Sequence, residues 1–63
     1  LERIMLGNRV HVCFTDGSVI DGELRRQSIE GIWLYYGWAE KAAVHFYPQQ
    51  RIKEITDLGP IYR

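Results

Sequence analysis

Apolar and polar residues alternate with a period of two along most of this chain, and glycine, proline and aspartate interrupt the alternation at short intervals. Val10, Val12 and Phe14 fall on one side of a segment that begins at Arg9, with Arg9, His11 and Cys13 on the other, as in a half-buried strand. Asp16-Gly17 follows, and such a pair between two apolar-rich runs favours positive-φ turn positions, so Val10 to Phe14 and Val19 to Leu24 are expected to form a tight hairpin. In the second run Ile20, Gly22 and Leu24 share a face opposite Val19, Asp21, Glu23 and Arg25, and strand character extends to about Ser28. Gly22 has no side chain to pack inside this run, which predicts a bulge or a sharp bend there.

Glu30-Gly31 reads as the next turn. Ile32 to Tyr36 is apolar or aromatic on both faces, so its outward residues need a cover beyond their own sheet wall. Gly37-Trp38-Ala39-Glu40-Lys41 looks like a loop, and Ala43 to Tyr47 resumes strand character. Pro48 ends that strand because it cannot donate to the ladder, and Pro48-Gln49-Gln50 fits one 3₁₀ turn. Arg51 to Thr56 is the last strand; the three-residue spacing of its anchors Ile52 and Ile55 breaks alternation and predicts a bulge. At the start, Leu1, Ile4 and Met5 are spaced as one stripe of a short helix over residues 1–6 that covers one end of the domain. Leu58-Gly59-Pro60 closes it, with residues 58–63 as a C-terminal tail. The expected architecture is all-β: one domain over 1–63, five strands in a strongly bent SH3-like barrel with a short N-terminal helix.

Composition narrows this picture. Sixty-three residues leave room for one core, and 46% hydrophobic with 25% charged residues is ordinary for a globular domain. Eight basic residues balance eight acidic ones, so nucleic-acid or anionic-membrane binding needs a local patch rather than a global field. Cys13 is the lone cysteine, which rules out an intramolecular disulfide and fits a reducing, cytoplasmic setting. No apolar run approaches membrane-spanning length and no leader pattern is visible, so no membrane role is expected.

The candidate chemistry is that of a binding module. Arg25 and Arg26 are adjacent cations whose forked donors suit phosphate, and Lys41, Arg51 and Lys53 join them if the fold brings those segments together. Trp33 and Trp38 offer stacking faces for unpaired bases or a peptide. The competing reading puts the aromatics in the core or a subunit interface and the cations on a solvated surface among Glu23, Glu30, Glu40 and Glu54. His11 and Cys13 lack further ligands at metal-binding spacing, and no orienting acid or oxyanion site accompanies them. No metal, cofactor or catalytic residue is expected.

Leu6-Gly7-Asn8-Arg9-Val10 before the first strand, Asp16-Gly17 with Gly22 and Leu24, and Ile52 with Ile55 together resemble the Sm-like family of small β-barrels. The resemblance runs from about Leu1 to Asp57. It implies rings built by pairing the fourth strand of one subunit with the fifth of the next, and single-stranded RNA bound at loops lining the pore. On that basis Ala43, His45 and Tyr47 on one edge and Lys53 on the other are interface residues, with Tyr35 beside them, and the partners are further copies of the chain, single-stranded RNA or another protein. Gln27-Ser28-Ile29-Glu30-Gly31-Ile32 stands where the family places its Asp and Asn, and Pro48-Gln49-Gln50 where it places Arg-Gly.

Overall fold

Alternation becomes pairing wherever the chain can fold back within a few residues, and four of the five strands follow one another in this way. The computed structural model describes residues 4–36 and 43–61. It consists of β1 (Asn8–Phe14), β2 (Val19–Ser28), β3 (Gly31–Tyr36), β4 (Ala43–Pro48), a 3₁₀ turn η1 (Gln49–Arg51) and β5 (Ile52–Pro60). All pairings are antiparallel in one sheet of order β4-β3-β2-β1-β5. β4 and β5 stand at its two ends, and no pairing between them closes it among the described residues. The sheet is therefore open, where a closed barrel was expected.

The open sheet is nevertheless curled. β1 and β4 are three strand spacings apart, about 14 Å in a flat sheet, yet the rings of Phe14 and Tyr47 lie 5.1 Å apart. That curl lets a single sheet build a core on its concave face: Val10, Val12, Leu24, Ile32 and Leu34 are fully buried, with Phe14 and Ile52 nearly so. Each such side chain contributes about 1.5–3 kcal/mol relative to exposure. Gly22 sits opposite Val10, where a Cβ would lie 3.2–3.3 Å from the Tyr36 ring, Leu34 and the Tyr35 carbonyl, so its bare backbone admits β3 closely. The bulge itself falls three residues on: Leu24 pairs with Leu34 and Arg26 with Trp33, leaving Arg25 as the extra residue.

The β1–β2 hairpin has a three-residue loop, Thr15 to Gly17. The Phe14 N–H donates to the Ser18 carbonyl (2.8 Å), the Gly17 N–H to the Phe14 carbonyl (3.1 Å), and Gly17 alone takes positive φ, at 91°. Asp16 secures the loop by accepting from the Ser18 hydroxyl (2.6 Å) and N–H (2.9 Å), and these bonds hold its carboxyl below the usual aspartate range.

In β5, Phe14 pairs with Ile52 and Cys13 with Glu54, so Lys53 is the expected bulge between the two isoleucine anchors. The strand does not stop at Thr56: it runs on to Pro60, opposite Asn8, through a second register shift at Leu58–Gly59. Residues 58–60 are thus strand rather than tail. Nearly buried Asn8 donates from Nδ2 to both Asp57 oxygens (3.0 and 3.3 Å), and Asp57 also accepts the Gly59 N–H (2.9 Å), which ties the start of β1 to β5.

The N-terminal helix is not formed in the described residues. Ile4 and Met5 are irregular, a turn follows in which the Asn8 N–H donates to the Met5 carbonyl (3.2 Å), and the Gly7 N–H donates to the Leu24 carbonyl (2.7 Å). Six residues cannot offset the cost of helix nucleation, whereas these bonds extend the sheet. Ile4 still packs against the core, its N–H donating to Gln27 Oε1 (3.3 Å). No helix among the described residues is long and apolar enough to cross a membrane.

Candidate functional site

Strand alternation divides β3 between two environments. Ile32, Leu34 and Tyr36 point into the core, while Trp33 and Tyr35 point to the outer face and remain half-exposed. Register then decides their neighbours. Trp33 lies between Arg26 of β2 and Phe46 of β4, its ring 5.0 Å from that of Phe46, and Tyr35 lies between Glu23 and Val44. The bulge at Arg25 brings its guanidinium over the Tyr35 ring, 4.5 Å from the centroid, and into an ion pair with Glu23. Cation–π contact at an exposed site contributes about 0.5–1 kcal/mol.

The outer face of β2–β3–β4 therefore carries a connected patch of Arg25, Arg26, Trp33, Tyr35, Val44 and Phe46. Val44 and Phe46 are exposed, and among the described residues β4 has a strand on one side only. Chemically the patch offers apolar area, three aromatic rings, of which Tyr35 is capped by Arg25, and the exposed Arg26, while the positive charge of Arg25 is offset by Glu23.

Of the residues expected to bind ligand, Arg25, Arg26 and Trp33 are brought together here. Trp38 and Lys41 lie outside the described residues. Arg51 is elsewhere: it ends η1 with its guanidinium 5.8 Å from the Phe14 ring centroid, its carbonyl accepts the Thr15 N–H (2.9 Å), and its charge helps hold the Asp16 carboxyl ionised.

Of the expected interface residues, Ala43, His45 and Tyr47 lie along β4 on its concave side, opposite Tyr36, Leu34 and Ile32. The His45 ring is 5.4 Å from that of Tyr36, and the Tyr36 and Tyr47 hydroxyls are hydrogen-bonded. Burial, with the Tyr47 hydroxyl as a second cause, pushes the Tyr36 phenol well above its ordinary range. Tyr35 is on the opposite, outer face, and Lys53 is the exposed bulge residue of β5.

Two features were not among the expected site residues. Val44 and Phe46 share one face of β4 by alternation, and the β3–β4 register makes it the face of Trp33. On the far side of β2, His11 Nδ1 meets the Asp21 carboxylate across the hairpin, beside an open hollow lined by Arg9, His11, Val19, Ile20 and Asp21. Counting outward from Asp16-Gly17 places these two residues opposite each other. The carboxylate fixes the orientation of the imidazole, and half-buried Cys13 lies two residues along the same face of β1. Comparison with protein-family models, with curated proteins and with solved structures finds no match to this chain.

Proposed function

We propose that the protein is a non-catalytic interaction module that works as a homo-oligomer, recruiting another chain by strand addition along an open sheet edge. One observation carries this reading: among the described residues β4 is unpaired on one side, and it exposes Val44 and Phe46 next to Trp33 and Tyr35. An apolar edge of that kind is a template for pairing unless something covers it. A scaffold of the SH3-like and Sm-like kind is consistent with the hairpin at Asp16-Gly17, the bent second strand and the 3₁₀ link before the last strand. Molar mass by light scattering is the test. A defined oligomer that Tyr35→Ala or Tyr47→Ala disrupts is expected, and a monomer at every concentration with no captured chain would sink the proposal.

A second reading, an Sm-like ring that binds single-stranded RNA, is favoured by Arg26 standing beside Trp33 and Arg25 over Tyr35. Stacking contributes about 1–3 kcal/mol per base without sequence preference. Binding of a labelled oligouridine should weaken with salt and with replacement of both Arg25 and Arg26 by alanine. No binding at low salt would eliminate this reading.

A further inference from the structure

The two edges of the sheet differ in chemistry, and the difference selects a partner. β5 carries Lys53, Glu54 and Asp57, is broken by register shifts at Lys53 and at Leu58–Gly59, and ends on Pro60. Charge, bulges and proline are the devices that keep edge strands from pairing. β4 has none of them before its last residue: Ala43–Pro48 contains no Asp, Glu, Lys or Arg, and it pairs with β3 without a register shift.

One hydrogen bond fixes which main-chain groups of β4 face outward. The Gln49 N–H donates to the Glu30 carbonyl (2.9 Å), in line with the Gly31–Pro48 pairing, so Glu30 and Gln49 are a hydrogen-bonded pair. Antiparallel pairs alternate, so Tyr47, His45 and Ala43 turn their N–H and C=O groups toward β3. Val44 and Phe46 turn theirs to the open edge. The next outward position is Pro48, which has no N–H to offer.

We infer that β4 pairs with β4 of a second copy of this chain, antiparallel about a two-fold axis through His45. This rests on the assembly reading above and names its partner. In this register each Val44 faces Phe46 of the other copy as a hydrogen-bonded pair, and the two such pairs use every outward N–H of Val44 and Phe46. Their side chains carry the Trp33–Phe46 cluster across the seam, a β-branched-on-aromatic pairing that stabilises sheets. On the concave side, large Tyr47 faces small Ala43. The surface is its own complement, as a two-fold contact requires, and among the described residues of β4 no carboxylate or ammonium group is brought to the seam. Pairing β4 with β5 would instead bring Lys53, Glu54 and Asp57 to a seam with no opposing charge on the β4 side.

Cysteine cross-linking tests the register. The two His45 positions form a non-hydrogen-bonded pair, with Cα atoms about 4.5 Å apart, inside the roughly 4.4–6.8 Å that a disulfide spans. In a Cys13→Ser background, His45→Cys is expected to give a covalent dimer on mild oxidation, while Lys53→Cys in the same background stays monomeric. His45→Lys in the otherwise unchanged chain opposes two ammonium groups across the axis, and the dimer should be lost; His45 is exposed, so circular dichroism should report an intact fold. If His45→Cys fails to link to itself but links to Lys53→Cys in a mixture, the two-fold pairing is overturned while the assembly reading stands. A monomer at all concentrations with no cross-link overturns both.

Discussion

Replacing Gly31 by alanine adds one methyl group where two backbones meet. Gly31 opens β3 opposite Pro48, and a Cβ there would sit 2.1 Å from the Tyr47 carbonyl oxygen, 2.9 Å from Pro48 Cα and 3.0 Å from Phe46 Cε1. The first two are main-chain atoms, so a rotamer change cannot relieve the clash. β4 must move away by roughly 1 Å to restore contact distance, and protein interiors transmit rather than absorb such a shift. The displaced segment carries the Tyr47 ring that packs on Phe14, its hydroxyl contact with Tyr36, and Phe46 against Trp33.

Overpacking of this kind costs about 1–3 kcal/mol, and two rigid partners put Gly31→Ala at the upper end, near 3 kcal/mol. A domain of this size has roughly 3–9 kcal/mol in total, so the variant should lose a third or more of its stability and about 12–24 °C in Tm. Urea unfolding followed by tryptophan fluorescence and by far-ultraviolet circular dichroism measures it. Gly17→Ala is the control: both glycines have positive φ, 156° at Gly31 and 91° at Gly17, but a Cβ at Gly17 meets nothing within 4 Å, so that variant carries backbone strain without the clash, a cost of about 1–2 kcal/mol. If Gly31→Ala unfolds within about 0.5 kcal/mol of the parent, or more easily tolerates the change than Gly17→Ala, the close approach of β3 and β4 is wrong.

Asn8→Ala removes the Nδ2 donor that reaches both Asp57 oxygens and should destabilise by about 1.5–3 kcal/mol, the range for hydrogen bonds to a charged group; in a urea double-mutant cycle with Asp57→Ala, which also loses the Gly59 N–H bond, the double variant should lose less than the sum of the two single ones, and additive losses would show that the two residues are not coupled. The Tyr36 phenol is held protonated in the folded state, chiefly by burial and then by Tyr47. An unfolded tyrosine ionises near about pH 10, so this contribution is complete below that pH and is lost as pH rises above it. Tyr36→Phe should therefore cost about 1 kcal/mol at neutral pH yet lose stability less steeply than the parent between about pH 10 and 11; parallel urea profiles would refute the assignment.

Periodicity carried the strand assignments because each depends on residues close in sequence. Val10, Val12 and Phe14 alternate, Pro48 cannot donate, and the Ile52–Ile55 spacing needs the one extra residue that Lys53 supplies. The N-terminal helix misled for the same local reason: three apolar residues at helical spacing serve equally well for a chain end that lays Ile4 on the core. What alternation cannot encode is the curl. It joins Phe14 to Tyr47 across three strand spacings, while the long-range β1–β5 pairing, equally invisible to alternation, joins Asn8 to Asp57 and takes Arg51 to Phe14, away from Arg25 and Arg26. The patch around Trp33 is partly legible: alternation puts Val44 and Phe46 on one face of their strand, but only the β3–β4 register sets them beside Tyr35 and Trp33.

The edges show how a local pattern acquires meaning from topology. A neutral run such as Ala43-Val44-His45-Phe46-Tyr47 is unremarkable in the middle of a sheet, where both sides are paired and both faces covered. At the end of the order β4-β3-β2-β1-β5 the same run leaves the main-chain groups of Val44 and Phe46 facing outward with their side chains exposed. β5 occupies the other end and has the residues such a position calls for in a monomer: Lys53, Glu54, Asp57 and two register breaks. Among the described residues, then, one edge is protected and the other is open. A protein that worked alone would gain by protecting both, since a single lysine at position 44 or 46 would suffice; the apolar β4 edge is the feature on which the proposal of assembly rests.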